Sequence, residues 1–230
     1  MAKLTALQST NEVLKRIGEA TISSLTSLTT IQLQAFDNLN RALEEIAQDV
    51  DNKPLEVEGS ITLVTNTNTY TPPNDFRSIV TESVRQPDSG QPVSVVTADE
   101  FDRQFPEGIT SARTGYPEFL TEKLGLLTFD KLPTANENNK TIKYRYQKIP
   151  TLFSTATSTG TSWMPEGYDL TLLCDYATWI TMQYMGHPEV GDYYLKVFGD
   201  SQNLKPEGHL SKFKRKFQQP FTKARVTAVL

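Results

Sequence analysis

The chain has 230 residues, 37% of them hydrophobic and 10% aromatic, with 23 Lys or Arg against 27 Asp or Glu and a formal net charge of −4. Eleven Phe, nine Tyr and two Trp exclude a disordered chain and suffice for a sizeable core. No segment approaches the ~18 apolar residues that span a bilayer or forms an uninterrupted signal-peptide core, and a single cysteine, Cys174, excludes an intrachain disulfide framework.

The first predicted element is a short helix in STNEVLKRIGEA, residues 9–20. Ser9 followed by Glu12 has capping-box spacing, and Gly18 stands where a left-handed C-terminal residue is wanted. The hydroxyl-rich TISSLTSLTT after it reads as a linker, because Ser and Thr side chains compete for backbone hydrogen bonds. A longer helix follows over Thr30–Val50, with Phe36, Leu39, Leu43, Ile46 and Val50 recurring at steps of three and four. DNKP, residues 51–54, ends it.

From Leu55 to Pro150 the pattern changes to short strands and turns. The clearest strand is TIKYRYQK, residues 141–148, in which Ile142, Tyr144 and Tyr146 alternate with polar residues. Its expected partner is GLLTFD, residues 125–130, across the Asn-rich connection KLPTANENNK. FSTATSTGTS, residues 153–162, reads as a return path to the helices. Helical spacing resumes after Pro165, where Leu170, Leu173, Ala177, Ile180 and Tyr184 form a stripe that ends at Gly186. A last helix is expected in EVGDYYLKVFGDSQNL, residues 189–204.

The expected fold is therefore α+β: a bundle of four main helices with an inserted antiparallel β-rich region and a C-terminal extended arm. The boundaries are 1–52 and 163–207 for the two halves of the bundle, 53–162 for the insertion and 208–230 for the arm. Phe36, Leu39, Leu43, Ile46, Leu173, Ala177 and Ile180 are the expected bundle core, and Cys174 packs as a small core residue.

Chemistry is sparse. His187 and His209 lack partners at metal-ligand spacing, so no metal is expected; His187 reads as a turn residue before Pro188. No nucleophile elbow, zincin, Walker or dinucleotide motif occurs, and neither a catalytic residue nor a cofactor is expected. The acidic ADEFDRQFPEG, residues 98–108, reads as an amphipathic segment carrying Phe101 and Phe105 rather than a pair of catalytic carboxylates.

Three stretches carry a resemblance: residues 4–46, with IGE at Ile17–Glu19; YTPPNDFRSI, with Tyr70, Pro73, Asp75 and Phe76; and WMPEGYDLTLLCDYATWI, with Pro165, Tyr176 and Ala177. In order and spacing they resemble the head-to-tail adaptors of tailed bacteriophages, and are similar to the tail tubular protein A-like adaptors of short-tailed phages. Where many members carry a Gly-Trp after the long helix, this chain has DVDNKPLEVEG. The resemblance implies a structural, non-enzymatic virion protein assembled in the host cytoplasm and located in the neck. It implies a homo-oligomeric ring of twelve copies between the portal protein and the tail nozzle or tail tube protein, with genomic DNA passing through the lumen without specific binding.

Residues 210–230 hold Lys212, Lys214, Arg215, Lys216, Lys223 and Arg225 and no acid; without those six cations, residues 1–209 carry −10. An acidic body suits a channel through which DNA must slide. Phe213, Phe217 and Phe221 recur every four residues among the cations, so the arm is expected to dock on the portal or a neighbouring subunit through aromatic anchors. The alternatives are a solvated tail, a nucleic-acid-binding arm and, for the whole chain, a tail-associated glycan-binding or hydrolytic module.

Overall fold

The computed structural model describes residues 3–49, 55–158, 163–164, 167–187 and 189. It divides into two compact units: Leu55–Ile149 is one, and Met1–Pro54 with Pro150–Leu230 is the other. The predicted helix 189–204 and the arm 208–230 lie outside the described residues apart from Glu189.

The helical unit begins with α1, Ala6–Arg16. Its capping box is Thr5 with Gln8, not Ser9 with Glu12: Gln8 N–H donates to Thr5 Oγ1 at 3.3 Å and Thr5 N–H to Gln8 Oε1 at 2.9 Å. Two further first-turn amides find acceptors on the return path, Ala6 N–H on Ser158 O at 2.9 Å and Leu7 N–H on Ala156 O at 3.1 Å. The helix thus starts earlier than Ser9, which lies buried inside it. Gly18 at φ +79° follows the helix end, as its position predicts.

Helix α2, Thr30–Asp49, opens on the same kind of box, Thr29 with Gln32. Its apolar stripe packs against both α1 and the later helix α4, Cys174–Tyr184. Ala35, Leu39, Ala42, Leu43, Ile46 and Ala47 are buried, whereas Phe36 is only half-buried. The seam uses Ala35 in its place, a small side chain that admits a close neighbour. Leu173, Ala177 and Ile180 are buried on the opposing side.

Two members of the predicted α4 stripe are not buried: Leu170 is 39% and Tyr184 58% exposed. Tyr184 is the last residue of α4, whereas Leu170 is displaced by a wide turn at Asp169–Leu173, where the backbone bonds i to i+5 before normal winding resumes at Cys174. One extra residue per turn shifts the phase, so Leu170 leaves the face and Asp169 enters it, 3% exposed. There Asp169 Oδ2 accepts from Leu4 N–H at 2.7 Å, tying the chain ahead of α1 to α4.

The β unit contains strands β1 Glu56–Thr62, β2 Thr69–Tyr70, β3 Phe76–Ile79, β4 Ser94–Val95, β5 Phe119–Lys123, β6 Leu126–Phe129 and β7 Thr141–Lys148. Helix α3, Ala98–Gln104, precedes β5. The strands form two sheets, in the orders β1-β7-β3 and β2-β6-β5-β4, antiparallel except for the β4–β5 pair. The fold class is α+β.

TIKYRYQK is β7, with Ile142, Tyr144 and Tyr146 inward, but its partner is not GLLTFD. The strand β6 in that stretch pairs with β5 through a two-residue turn, Leu124 and Gly125, at φ +53° and +74°. Both positive angles match a hairpin turn of the type favoured by strand twist. β7 instead sits between β1 and β3, so KLPTANENNK leads from one sheet to the other. The unit's core is Ile61, Leu63, Val84, Val93, Leu120, Leu127, Phe129, Ile142, Tyr144 and Tyr146.

Candidate functional site

Among the described residues, no group of three or more His, Cys, Asp or Glu side chains is placed to hold a metal ion. Cys174 is fully buried in α4, and burial raises its thiol pKa, which leaves it a packing residue rather than a nucleophile. His187 Nδ1 lies 3.7 Å from Glu189 Oε1, both largely exposed. The ADEFDRQFPEG stretch is α3 with its N-cap Thr97. Phe101 and Phe105 are buried, and its carboxylates face solvent, Asp102 Oδ1 pairing with Lys123 Nζ at 2.7 Å. No described helix is long and apolar enough to cross a membrane.

The polar groups that are buried serve the scaffold. Asp130, 1% exposed, accepts from the backbone N–H of Glu118 and Phe119, both at 2.8 Å, and so fixes the start of β5. Arg16 joins α1 to α4 by an ion pair with Asp175 at 2.5 Å while also bonding Glu12 at 3.0 Å. Two asparagines clamp loops by donating and accepting at once: Asn11 holds Ile22 (2.9 and 2.7 Å), and Asn40 holds Phe153 (3.1 and 2.9 Å). None of the four is marked by spacing or repetition in the sequence.

The motif residues that carried the family resemblance occupy this scaffold too. The Tyr70 hydroxyl donates to Thr67 O at 2.8 Å and accepts from Val64 N–H at 3.1 Å, its ring edge-on to Phe129 at 5.7 Å. Phe76 packs on Tyr146, whose hydroxyl donates to Asp75 Oδ1 at 2.8 Å. Burial and that bond push the Tyr146 pKa up to about 12. Tyr176 stacks on Trp179 at 5.2 Å and donates to Glu45 of α2.

Surface features lie elsewhere. The β5–β6 turn presents Leu124, 94% exposed and in a left-handed conformation unusual for a branched side chain. Elsewhere on the same unit, Tyr116 donates to Asp88, which also accepts from Lys140 Nζ at 3.3 Å; the Tyr116 bond holds Asp88 below the ordinary carboxylate range and lifts Tyr116 to about 12. Glu56 pairs with Arg145 at 2.9 Å and Glu58 with Lys143 at 3.2 Å on the outer face of the first sheet. The arm residues Lys212, Phe213, Lys214, Arg215, Lys216, Phe217 and Phe221 lie outside the described residues.

Among the described residues, the buried polar groups fix elements of the scaffold. Over residues 4–225 the chain matches the family of the SU10 adaptor protein. It belongs to that family. The chain is thus a phage structural adaptor, and the match does not single out the tail tubular protein A-like group. A comparison with curated proteins gives no match.

Proposed function

We propose that this adaptor is the subunit of a homo-oligomeric ring of twelve copies in the virion neck, linking the portal protein to the tail nozzle or tail tube protein. The observation that carries the reading is the family match across nearly the whole chain. The helical core Leu39, Leu43, Ile46, Leu173, Ala177 and Ile180, with Ala35 where Phe36 is expected, supplies the rigid part. The arm, through Phe213, Phe217 and Phe221 with Lys212, Lys214, Arg215 and Lys216 around them, supplies the portal contact. Residues 1–209 carry −10, which repeated around a ring disfavours a grip on phosphate and leaves DNA free to slide.

Co-expression with the portal protein of the same phage, followed by mass measurement and imaging, tests the assembly: a stoichiometric ring on the portal is expected, and adaptor that stays monomeric with portal present contradicts it. Removing Leu210–Leu230 tests the arm. Portal binding is expected to fall, and unchanged binding rejects the docking role. Loss of DNA retardation on that deletion, with portal binding intact, would favour the nucleic-acid reading of the arm.

A further inference from the structure

Among the described residues, every sheet edge but one is short or broken. β2 and β4 have two residues each, and β3 has four with its register displaced between Phe76 and Ser78. β1 has seven residues in unbroken register with β7 and stands at the end of its sheet.

Its peptide groups can be sorted by direction. Leu63 N–H donates to Lys140 O at 2.8 Å, and by the antiparallel alternation Ile61, Gly59 and Val57 also turn their backbone groups toward β7. On β7, Arg145 O accepts from Val80 N–H and Lys143 O from Arg85 N–H, so these residues face away from β1. They stand opposite Glu58 and Ser60. The backbone N–H and C=O of Glu56, Glu58, Ser60 and Thr62 therefore point to the open edge, where among the described residues no strand pairs with them. No proline, bulge or inward charge guards it; the charges it carries are the outer-face Glu56 and Glu58.

The side chains of β1 alternate: Glu58, Ser60 and Thr62 are exposed, while Val57, Gly59 and Ile61 turn inward. The last eight residues of the sequence, KARVTAVL, alternate in the same way. Lys223, Arg225, Thr227 and Val229 share one face, polar except for Val229; Ala224, Val226, Ala228 and Leu230 share the other. In a parallel register Lys223 and Arg225 fall beside Glu56 and Glu58, Thr227 beside Ser60, and the apolar residues continue the inward face. A charge match and a period-two match thus coincide on one register.

We propose that Lys223–Leu230 of a second copy of this chain adds as a fourth strand to β1. Tail on edge is a heterologous contact, in which the two surfaces differ. Repetition of such a contact closes a ring when the rotation allows, so the inference deepens the ring reading and rests on it. It gives the terminal segment, which the portal-docking anchors do not use, a place of its own.

The test adds a labelled peptide of sequence Phe221–Leu230 to the chain ending at Thr222, followed by anisotropy and by amide exchange at Glu58, Ser60 and Thr62. Saturable binding with exchange at those amides slowed about tenfold or more is expected. No binding, or equal binding of a scrambled peptide, overturns the proposal. Ser60→Pro removes one outward N–H without touching the β7 ladder and should abolish binding. Glu58→Lys, at a side chain 64% exposed, should weaken the peptide about tenfold and be rescued by a peptide carrying Lys223→Glu and Arg225→Glu. Failure of that rescue counts against the register.

In the full chain, protection of the same amides should appear with rising concentration or on ring formation; protection that persists at the highest dilution points to the chain's own tail and overturns the second-copy assignment. Ring mass is scored on the same samples. A ring that forms with the edge amides unprotected refutes strand addition alone, whereas peptide binding without a ring on the portal supports strand addition and refutes the ring reading.

Discussion

Among the glycines of the described residues, Gly59 is the one whose absence of a side chain matters most. A Cβ at that position would stand 2.6 Å from Tyr144 Cζ, and Tyr144 is itself 1% exposed in the core of the β unit. The ring cannot withdraw without opening its contacts, so Gly59→Ala is expected to destabilise by about 1–3 kcal/mol, the usual range for overpacking, as measured by denaturant unfolding. Tyr146 gives a second expectation, through pH. Its pKa is raised from 10.0 to about 12 by burial and by donating to Asp75, so the folded state holds that proton more tightly than the unfolded chain. The stabilisation is complete below pH 10 and is lost as pH rises through about 12. Unfolding midpoints should fall over that window, with part of the fall removed in Tyr146→Phe; Tyr116, raised to about 12 by its bond to Asp88, accounts for another part.

At the scale of elements, two loops are held by single side chains rather than by their own composition. Asn40 clamps Phe153 from α2 with two hydrogen bonds, and Phe153 is buried. Asn40→Ala leaves a backbone N–H and C=O without that partner, at a cost of about 2 kcal/mol, and amide exchange at Phe153 should rise more than exchange in the middle of α2. Such clamps explain what the sequence does and does not reveal. α2 was legible because a 3.6-residue apolar stripe runs its length, and β7 because three inward residues alternate with polar ones. The start of α1 was misplaced because two candidate boxes lie four residues apart, and the acceptors on Ser158 and Ala156 that favour the earlier start are remote in sequence. The partner of β7 was misread because Leu124-Gly125 lacks the Asn-Gly signature of a tight hairpin, hiding the β5–β6 turn. The phase of α4 was misread at Leu170 because a five-residue turn leaves no mark in composition. Assembly contacts are the hardest to read along a chain, since they need no special residue type.

At the scale of the whole molecule, charge separates two tasks. A −10 body and a six-cation terminal stretch in one chain attract each other weakly across solvent; on the proposed reading, the aromatic side chains between the cations turn a general attraction into a located one. That reading assigns the encounter rate with an acidic partner to electrostatics and the lifetime of the complex to burial of the rings. The two contributions can be separated by experiment. Replacing Lys212, Lys214, Arg215 and Lys216 with Gln should slow association with the portal and flatten its dependence on salt, with a smaller change in dissociation. Phe213→Ala with Phe217→Ala should do the reverse, speeding dissociation at least tenfold, since each truncated aromatic anchor costs more than about 1 kcal/mol at a buried contact. In particles, the second variant should accumulate filled or leaking heads without tails. Normal infectious particles from it, or equal effects of both variants on dissociation, would remove the aromatic side chains from the contact and leave only a charged tail.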